Sequence, residues 1–212
     1  EICACLVGSE MCIRDSIYFA AGFHPENLEG TELSQIEKIK EYAAHEKCVA
    51  IGEIGLDYHW MSSSKEKQRE FFTRQCLLAN ELDMPVIVHD REAHGDTLDI
   101  LKQTQPKGVV HCFSGSKEMA ADIIRLGMYI GLNGVATFKN ARKSLEVAKA
   151  IPIERLVLET DCPYLAPEPY RGRRNDSSYI AYIAERLAPE LNVSAQELLS
   201  ITNENARRLY NM

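Results

Sequence analysis

The stretch CVAIGEIG, Cys48–Gly55, decides the fold of this 212-residue chain, because it is a near-continuous run of apolar and small residues. Such a run is typical of a strand that is buried on both faces of a parallel sheet, since a strand with one solvated face alternates apolar and polar residues. IYFAAGF before it (Ile17–Phe23) and PVIVHD after it (Pro85–Asp90) have the same character. Between Cys48–Gly55 and Pro85–Asp90 lies Lys65–Leu82, in which apolar residues recur at helical spacing.

The same alternation of strands and helices continues along the rest of the chain. We predict strands at Ile17–Phe23, Cys48–Gly55, Pro85–Asp90, Gly108–Phe113, Met128–Gly134 and Arg155–Asp161. We predict helices at Leu33–Glu46, Lys65–Leu82, Glu92–Lys102, Lys117–Leu126, Ala141–Ala150, Ser178–Leu187, Ala195–Ser200 and Glu204–Tyr210. Buried parallel strands need helical cover on both faces, so the pattern predicts one α/β domain, either a barrel or a doubly wound sheet.

Composition narrows the class of protein. Apolar residues make up 45% and charged residues 26% of the chain, which is typical of a globular protein, and no apolar run approaches the ~20 residues that span a bilayer. The net charge of −7 argues against non-specific coating of nucleic acid but permits an enzyme with a local basic patch. The seven cysteines contain no CxxC pair, so we predict reduced thiols and a cytoplasmic protein.

Residues able to bind metals stand at or near the carboxyl ends of four predicted strands. They are Glu53, His89, His111 and Asp161. In a barrel these strand ends converge on one face, and two imidazoles with two carboxylates suit Zn²⁺, Mn²⁺ or Mg²⁺. Each residue also has a structural explanation, since a histidine can be hydrogen-bonded in the core and an acidic residue can cap the next helix. Four together favour a metal site.

The sequence motifs around these four residues are distinctive. GEIGLDYHW, PVIVHDREA, HCFSGS and LETDCPYLAP occur in this order, with AGFHPEN before them and RGRRN after them. From residue 17 to residue 212 the chain thereby resembles the TatD family of metal-dependent deoxyribonucleases. The resemblance implies a TIM-type (β/α)8 barrel of the metallo-dependent hydrolase superfamily. It also implies hydrolysis of phosphodiester bonds in DNA by metal-activated water, typically from a 3′ end. We expect single-stranded DNA or DNA 3′ ends as partner, no membrane, and a monomer, with the oligomeric state left open.

The resemblance also implies roles for individual residues. Glu53 would bridge two divalent ions (Mg, Mn or Zn), and His89 and His111 would complete the first metal site. Asp161 would bind the second ion and take a proton from the attacking water, so Glu53 and Asp161 are the predicted catalytic residues. The predicted substrate-binding residues are His24, Arg91, Ser114, Arg171, Arg173 and Asn175.

Two neighbours of Glu53 remain open between two interpretations. Asp57 either orients a metal ligand through a hydrogen bond or caps its loop. Trp60 either stacks on a nucleobase or anchors the loop.

The segment Glu1–Ser16 does not fit this pattern. The family begins with a strand that carries His-x-His, and this sequence contains no such motif. By comparison with the family, the first two of eight strands are absent and about six remain. Read back into codons, LVGSEMCIRDS resembles a common transposase sequencing adapter, so we interpret residues 1–16 as an artefact, with a genuine divergent N-terminus as the alternative. A barrel that lacks two strands exposes two parallel edges, so we expect this chain to fold poorly and to have impaired activity.

Two rival functions remain. The first is a metallohydrolase of the same fold that acts on a non-nucleic ester or amide, because a fold does not fix the substrate. The second is a non-catalytic protein that binds nucleic acid. The basic run RGRR, Arg171–Arg174, favours a phosphate-containing substrate, since arginine makes bidentate contacts with phosphate.

Overall fold

Six parallel strands form one sheet in a computed structural model of the chain, which describes residues 17–212. The predictions made for residues 1–16 lie outside that range. The strands are β1 (Phe19–Ala21), β2 (Cys48–Asp57), β3 (Val86–Arg91), β4 (Gly108–Val110), β5 (Tyr129–Leu132) and β6 (Leu156–Leu158).

Helices follow the strands and cover the sheet. The α-helices are α1 (Ile39–Ala43), α2 (Lys65–Glu81), α3 (His94–Thr104), α4 (Lys117–Arg125), α5 (Arg142–Ala150), α6 (Ile180–Leu187) and α7 (Ala195–Tyr210). Short 3₁₀ segments lie at Pro25–Asn27, Leu33–Lys38, Gly134–Thr137, Ile153–Arg155, Ser177–Tyr179 and Ala188–Leu191. In this part of the chain, no helix has both the length and the apolar character needed to cross a membrane.

The strands are arranged in the order in which they occur along the chain. Each strand pairs in parallel with its neighbour in sequence, from β1 to β6. Within residues 17–212, β1 and β6 each have one partner and do not pair with each other, so the sheet is open. Parallel strands that pair in their sequential order are typical of a TIM-type barrel, in which the carboxyl ends of all strands lie at one edge. The predicted α/β class and an incomplete TIM-type barrel of about six strands are therefore confirmed.

A break predicted between the last two helices is wrong. The helices expected at Ala195–Ser200 and Glu204–Tyr210 form the single helix α7. The segment between them is helical rather than a loop: Thr202 is buried and its hydroxyl donates to the carbonyl of Leu198 at 2.8 Å, and Asn205 in the next turn is fully buried. Asn205 Nδ2 donates to the carbonyls of Ile153 and Leu156 at 2.8 and 2.7 Å. These tertiary contacts outweigh the modest helix propensity of Thr and Asn.

Candidate metal centre

A bulge in β2 positions Glu53. Between two consecutive pairings with β3, Ile51 with Val86 and Ile54 with Val88, β2 advances three residues while β3 advances two. A bulge of this kind redirects a side chain and is common beside active sites. Glu53 was predicted at or near the end of a strand that stops at Gly55, and β2 continues to Asp57. The bulge, rather than the strand end, gives Glu53 its direction.

One carboxylate oxygen of Glu53 lies at the centre of three imidazoles. Oε1 of Glu53 is 2.9 Å from Nδ1 of His89 and 3.6 Å from Nε2 of His24, and it also contacts Nε2 of His111. The ring centroids of His24 and His89 are 4.7 Å apart. The structure therefore brings together three residues from the ends or bulges of β2, β3 and β4, and adds His24, which follows β1.

The charges in this cluster influence one another. Burial alone would raise the pKa of Glu53, but hydrogen bonds from His111, His24 and His89 outweigh it and hold that pKa well below its usual range. Burial would lower the pKa of His111, yet the carboxylates of Glu159 and Glu53 raise it well above its ordinary value. The cluster thus consists of one anionic carboxylate oxygen and the three imidazoles that surround it.

The donors of this cluster fit a divalent cation. His24, Glu53 and His89 each offer one ligand atom, and these atoms all lie within 4.8 Å of one another. Nε2 of His111 is buried and contacts the same oxygen of Glu53, so it adds a further imidazole nitrogen to this set. Imidazole nitrogens with a carboxylate form a donor set that suits Zn²⁺ and related divalent ions.

Asp57 contacts the predicted ligand His89 and also caps a loop. It is 1% exposed, and its Oδ2 lies 2.9 Å from Nε2 of His89. Its Oδ1 accepts the backbone N–H groups of His59 and Trp60, each at 2.9 Å. A carboxylate behind a metal-binding histidine fixes the ring orientation and increases the basicity of the ligand. The sequence left open whether Asp57 contacts a ligand or caps its loop. Its Oδ2 makes the first contact and its Oδ1 makes the second.

Glu159 has the equivalent position behind His111, and the sequence analysis missed it. Its Oε1 is 3.6 Å from Nδ1 of His111 and accepts the backbone N–H of Cys112. The signal was present in LETD, because alternate residues of an extended segment share a face. Glu159 therefore points towards the same side as the predicted ligand Asp161.

Asp161 lies three residues beyond β6 and is electrostatically linked to the cluster. Burial raises the pKa of its carboxyl group, the attraction of His111 opposes this change, and repulsion from Glu53 and Glu159 adds to it. Within residues 17–212, the side chain makes no hydrogen bond or ion pair. Its carboxylate is therefore available to an exogenous ligand or proton.

Two buried glutamines of α2 hold the strand ends on either side of the cluster. Oε1 of Gln75 accepts the backbone N–H of Phe23 at 2.7 Å, and its Nε2 donates to the carbonyl of the same residue at 3.2 Å. Oε1 of Gln68 accepts the N–H of Asp57 at 2.8 Å, and its Nε2 donates to that carbonyl at 2.9 Å. The backbone beside His24 and the backbone at Asp57 are therefore both fixed to one helix.

We expect Gln75→Leu to destabilise the protein by about 1–3 kcal/mol, because it leaves the N–H and C=O of Phe23 without partners in a partly buried position. Urea denaturation followed by circular dichroism measures this change. The matched control is Gln103→Leu, an exposed glutamine of α3, for which we expect a change within about 0.5 kcal/mol. Equal midpoints for the two variants would contradict the proposed role of Gln75.

The predicted substrate residues occupy different places around the cluster. The Arg91 guanidinium lies 5.5 Å from the ring centroid of Trp60, whose side chain is 61% exposed. Ser114 and Arg171 line one cavity, described below. Arg173 is exposed.

The structure does not bring Asn175 to the cluster. It is 4% exposed, and its Nδ2 donates to the carbonyl of Tyr164 at 2.6 Å. Its backbone N–H donates to the carbonyl of Pro163 at 2.9 Å. These contacts support a role in shaping the loop after β6, and a contact of Asn175 with substrate stays a prediction.

Comparisons with known proteins agree on one family. A family model described as TatD related DNase matches residues 8–211. The uncharacterized metal-dependent hydrolase YabD of Bacillus subtilis (strain 168) is 47% identical over 199 residues, which are 92% of this chain and 78% of that protein. A protein of Escherichia fergusonii named 3′-5′ ssDNA/RNA exonuclease TatD is 35% identical over 198 residues, 90% of this chain and 76% of its own. The crystal structure of YJJV, a TatD homologue from Escherichia coli K12, superposes with a TM-score of 0.82 at 32% identity and covers 92% of this chain and 77% of the other.

Proposed function

The chain belongs to the TatD related DNase family of metal-dependent hydrolases, and from that premise we propose that it cleaves phosphodiester bonds in single-stranded DNA from the 3′ end. The observation that carries the proposal is the contact of one Glu53 oxygen with the imidazoles of His24, His89 and His111. The family supports hydrolysis, and the relative named as a 3′-5′ exonuclease supports the polarity and the substrate.

The residues of the cluster have different roles in the proposed reaction. Glu53, His89 and His111 would hold a divalent cation (Mg, Mn or Zn), with His24 beside them and Asp161 as ligand of a second ion. When bound, such cations lower the pKa of water and neutralise charge that develops on phosphate oxygens. Asp57 and Glu159 fix the rings of His89 and His111. Asp161 accepts the proton of the attacking water, since its carboxylate has no other partner among residues 17–212.

The loop after β2 supports a single-stranded substrate. Trp60 exposes 61% of its surface, and the Arg91 guanidinium lies 5.5 Å from the centroid of its ring. Exposed aromatic side chains beside a cation bind unpaired nucleobases, because each base can stack on the ring. In a duplex the bases already stack on one another and are not available to such a ring.

Two further properties belong to the proposal. All four cysteines among residues 17–212 are free, which supports a reducing compartment and hence a cytoplasmic protein. We also propose that the protein acts as a monomer on its DNA substrate.

The test is digestion of a 5′-labelled single-stranded oligonucleotide and of the matching duplex, with protein that has been stripped by a chelator and then given Mg²⁺, Mn²⁺ or Zn²⁺. We expect a ladder that shortens from the 3′ end, faster on the single strand, and only after metal is restored. Hydrolysis of p-nitrophenyl acetate without any cleavage of DNA would favour the ester or amide rival. Binding of DNA without metal and without cleavage would favour the non-catalytic rival.

A further inference from the structure

A cavity lies at the carboxyl edge of the sheet, the edge that also carries the metal cluster. It has a volume of about 260 Å³ and lies between the segment after β4, the segment after β5 and the loop after β6. Cys112, which directly follows the ligand His111, forms part of its wall. A group bound here is therefore adjacent to the cluster but separate from it.

A buried amide of the wall has a donor with no nitrogen or oxygen partner. Asn133 is 3% exposed and lines this cavity. Its Oδ1 accepts the backbone N–H of Val135 at 3.1 Å, which fixes the orientation of the amide. Its Nδ2 is buried without a nitrogen or oxygen partner, and the side chain interacts with the thiol of Cys112. Sulfur is a weak acceptor, so a ligand oxygen would satisfy this donor better.

The charged side chains of the wall are all cations. Arg171 and Lys143 contribute the charges, Ser114 adds a hydroxyl, and no carboxylate among residues 17–212 lines the cavity. The guanidinium of Arg171 lies 4.3 Å from the ring centroid of Phe138, which limits its motion before any ligand arrives. In a chain with a net charge of −7, such a group of donors favours an anion, and a guanidinium suits phosphate in particular.

We propose that this cavity binds a phosphate group of the substrate strand other than the one that is cleaved. The inference rests on the proposed nuclease function and names a subsite for it, with Asn133, Lys143 and Arg171 as its donors. It makes the enzyme prefer chains of nucleotides to isolated diesters, because only a chain presents a second phosphate next to the reacting one. Asn133 and Lys143 were not among the residues predicted from the sequence.

The test compares two substrates in the metal-loaded protein. Oligothymidylate has several phosphates, whereas bis(p-nitrophenyl) phosphate has one. We expect Lys143→Ala, Arg171→Ala and Asn133→Asp each to lower the ratio of kcat/KM for oligothymidylate to kcat/KM for the small diester by about tenfold, mainly through KM. Asn133→Asp keeps the acceptor for Val135, removes the donor and adds a negative charge that repels phosphate. Lys143 is exposed, so its variant tests the subsite even if the buried Asn133 variant folds poorly.

Lys149→Ala is the matched control, since it removes the same charge from the same helix at a lysine that pairs with Glu190. Its ratio should equal that of the wild type. Wild-type ratios in all three subsite variants, with cleavage of both substrates intact, would overturn the subsite and leave the nuclease function standing. Failure of the wild-type protein to cleave either substrate would instead refute the proposed function, and the subsite with it.

Discussion

Replacement of Glu53 by glutamine is expected to abolish metal-dependent hydrolysis. The amide keeps the size of the side chain but removes the charge that attracts the imidazoles of His24, His89 and His111. It also removes the anionic donor from the cation site. Loss of a group that only supports a metal ligand costs roughly 10- to 100-fold in affinity or activity, so loss of a ligand should exceed that range. We expect kcat/KM for single-stranded DNA to fall by more than about 100-fold.

Two measurements separate loss of the site from loss of the fold. Metal content by elemental analysis should fall with activity in Glu53→Gln, while the circular dichroism spectrum should stay that of the wild type. The control is Glu81→Gln, an exposed glutamate at the end of α2 that pairs with Lys40 at 2.9 Å. Exposed ion pairs contribute little, so this variant should keep its metal and its activity. A Glu53→Gln protein with full metal content and normal turnover would rule out Glu53 as a ligand.

Replacement of Asp161 by asparagine is expected to lower kcat by about 10²–10⁴-fold, which is the usual contribution of a proton acceptor. Asparagine has almost the same shape and remains a metal ligand of lower charge, but it cannot accept the proton of the attacking water. Because the side chain makes no hydrogen bond within residues 17–212, its replacement breaks no hydrogen bond of the folded chain. Single-turnover cleavage of a labelled oligonucleotide measures the chemical step directly.

Asp83→Asn is the matched control for this variant. Asp83 is an exposed residue after α2 that pairs with Lys107. We expect its kcat to equal that of the wild type. If Asp161→Asn retained wild-type kcat, another group would have to accept the proton, and Glu159 would be the next residue to replace.

The sequence predicted the strands and the cluster residues whose signals are local. The strand Cys48–Gly55 was recognised from its apolar run, and His89 and His111 were found from their places at the ends of such runs. The register shift that directs Glu53 could not be predicted, because a bulge is defined by the partner strand.

The parts that were missed depend on contacts between distant segments. The continuity of α7 depends on Asn205, whose partners Ile153 and Leu156 belong to another element. Nδ2 of Asn133 has no nitrogen or oxygen partner because distant segments of the chain bury it away from water. Glu159 alone had a local signal, since it alternates with Asp161, and it was overlooked in the motif that was read.

The sequential order of the sheet allows the protein to assemble while it is being synthesised. Every strand from β2 onward pairs with the strand made just before it, so no described strand has to wait for a later one. Contacts that are local in sequence form quickly, and domains fold from the N-terminal side as the ribosome releases them. His24, Glu53 and His89 belong to β1, β2 and β3 and the loops that follow them. A nascent chain that has emerged as far as β3 therefore already carries these three candidate metal ligands, and a bound ion would hold the strands together until α3 to α7 and Asp161 follow.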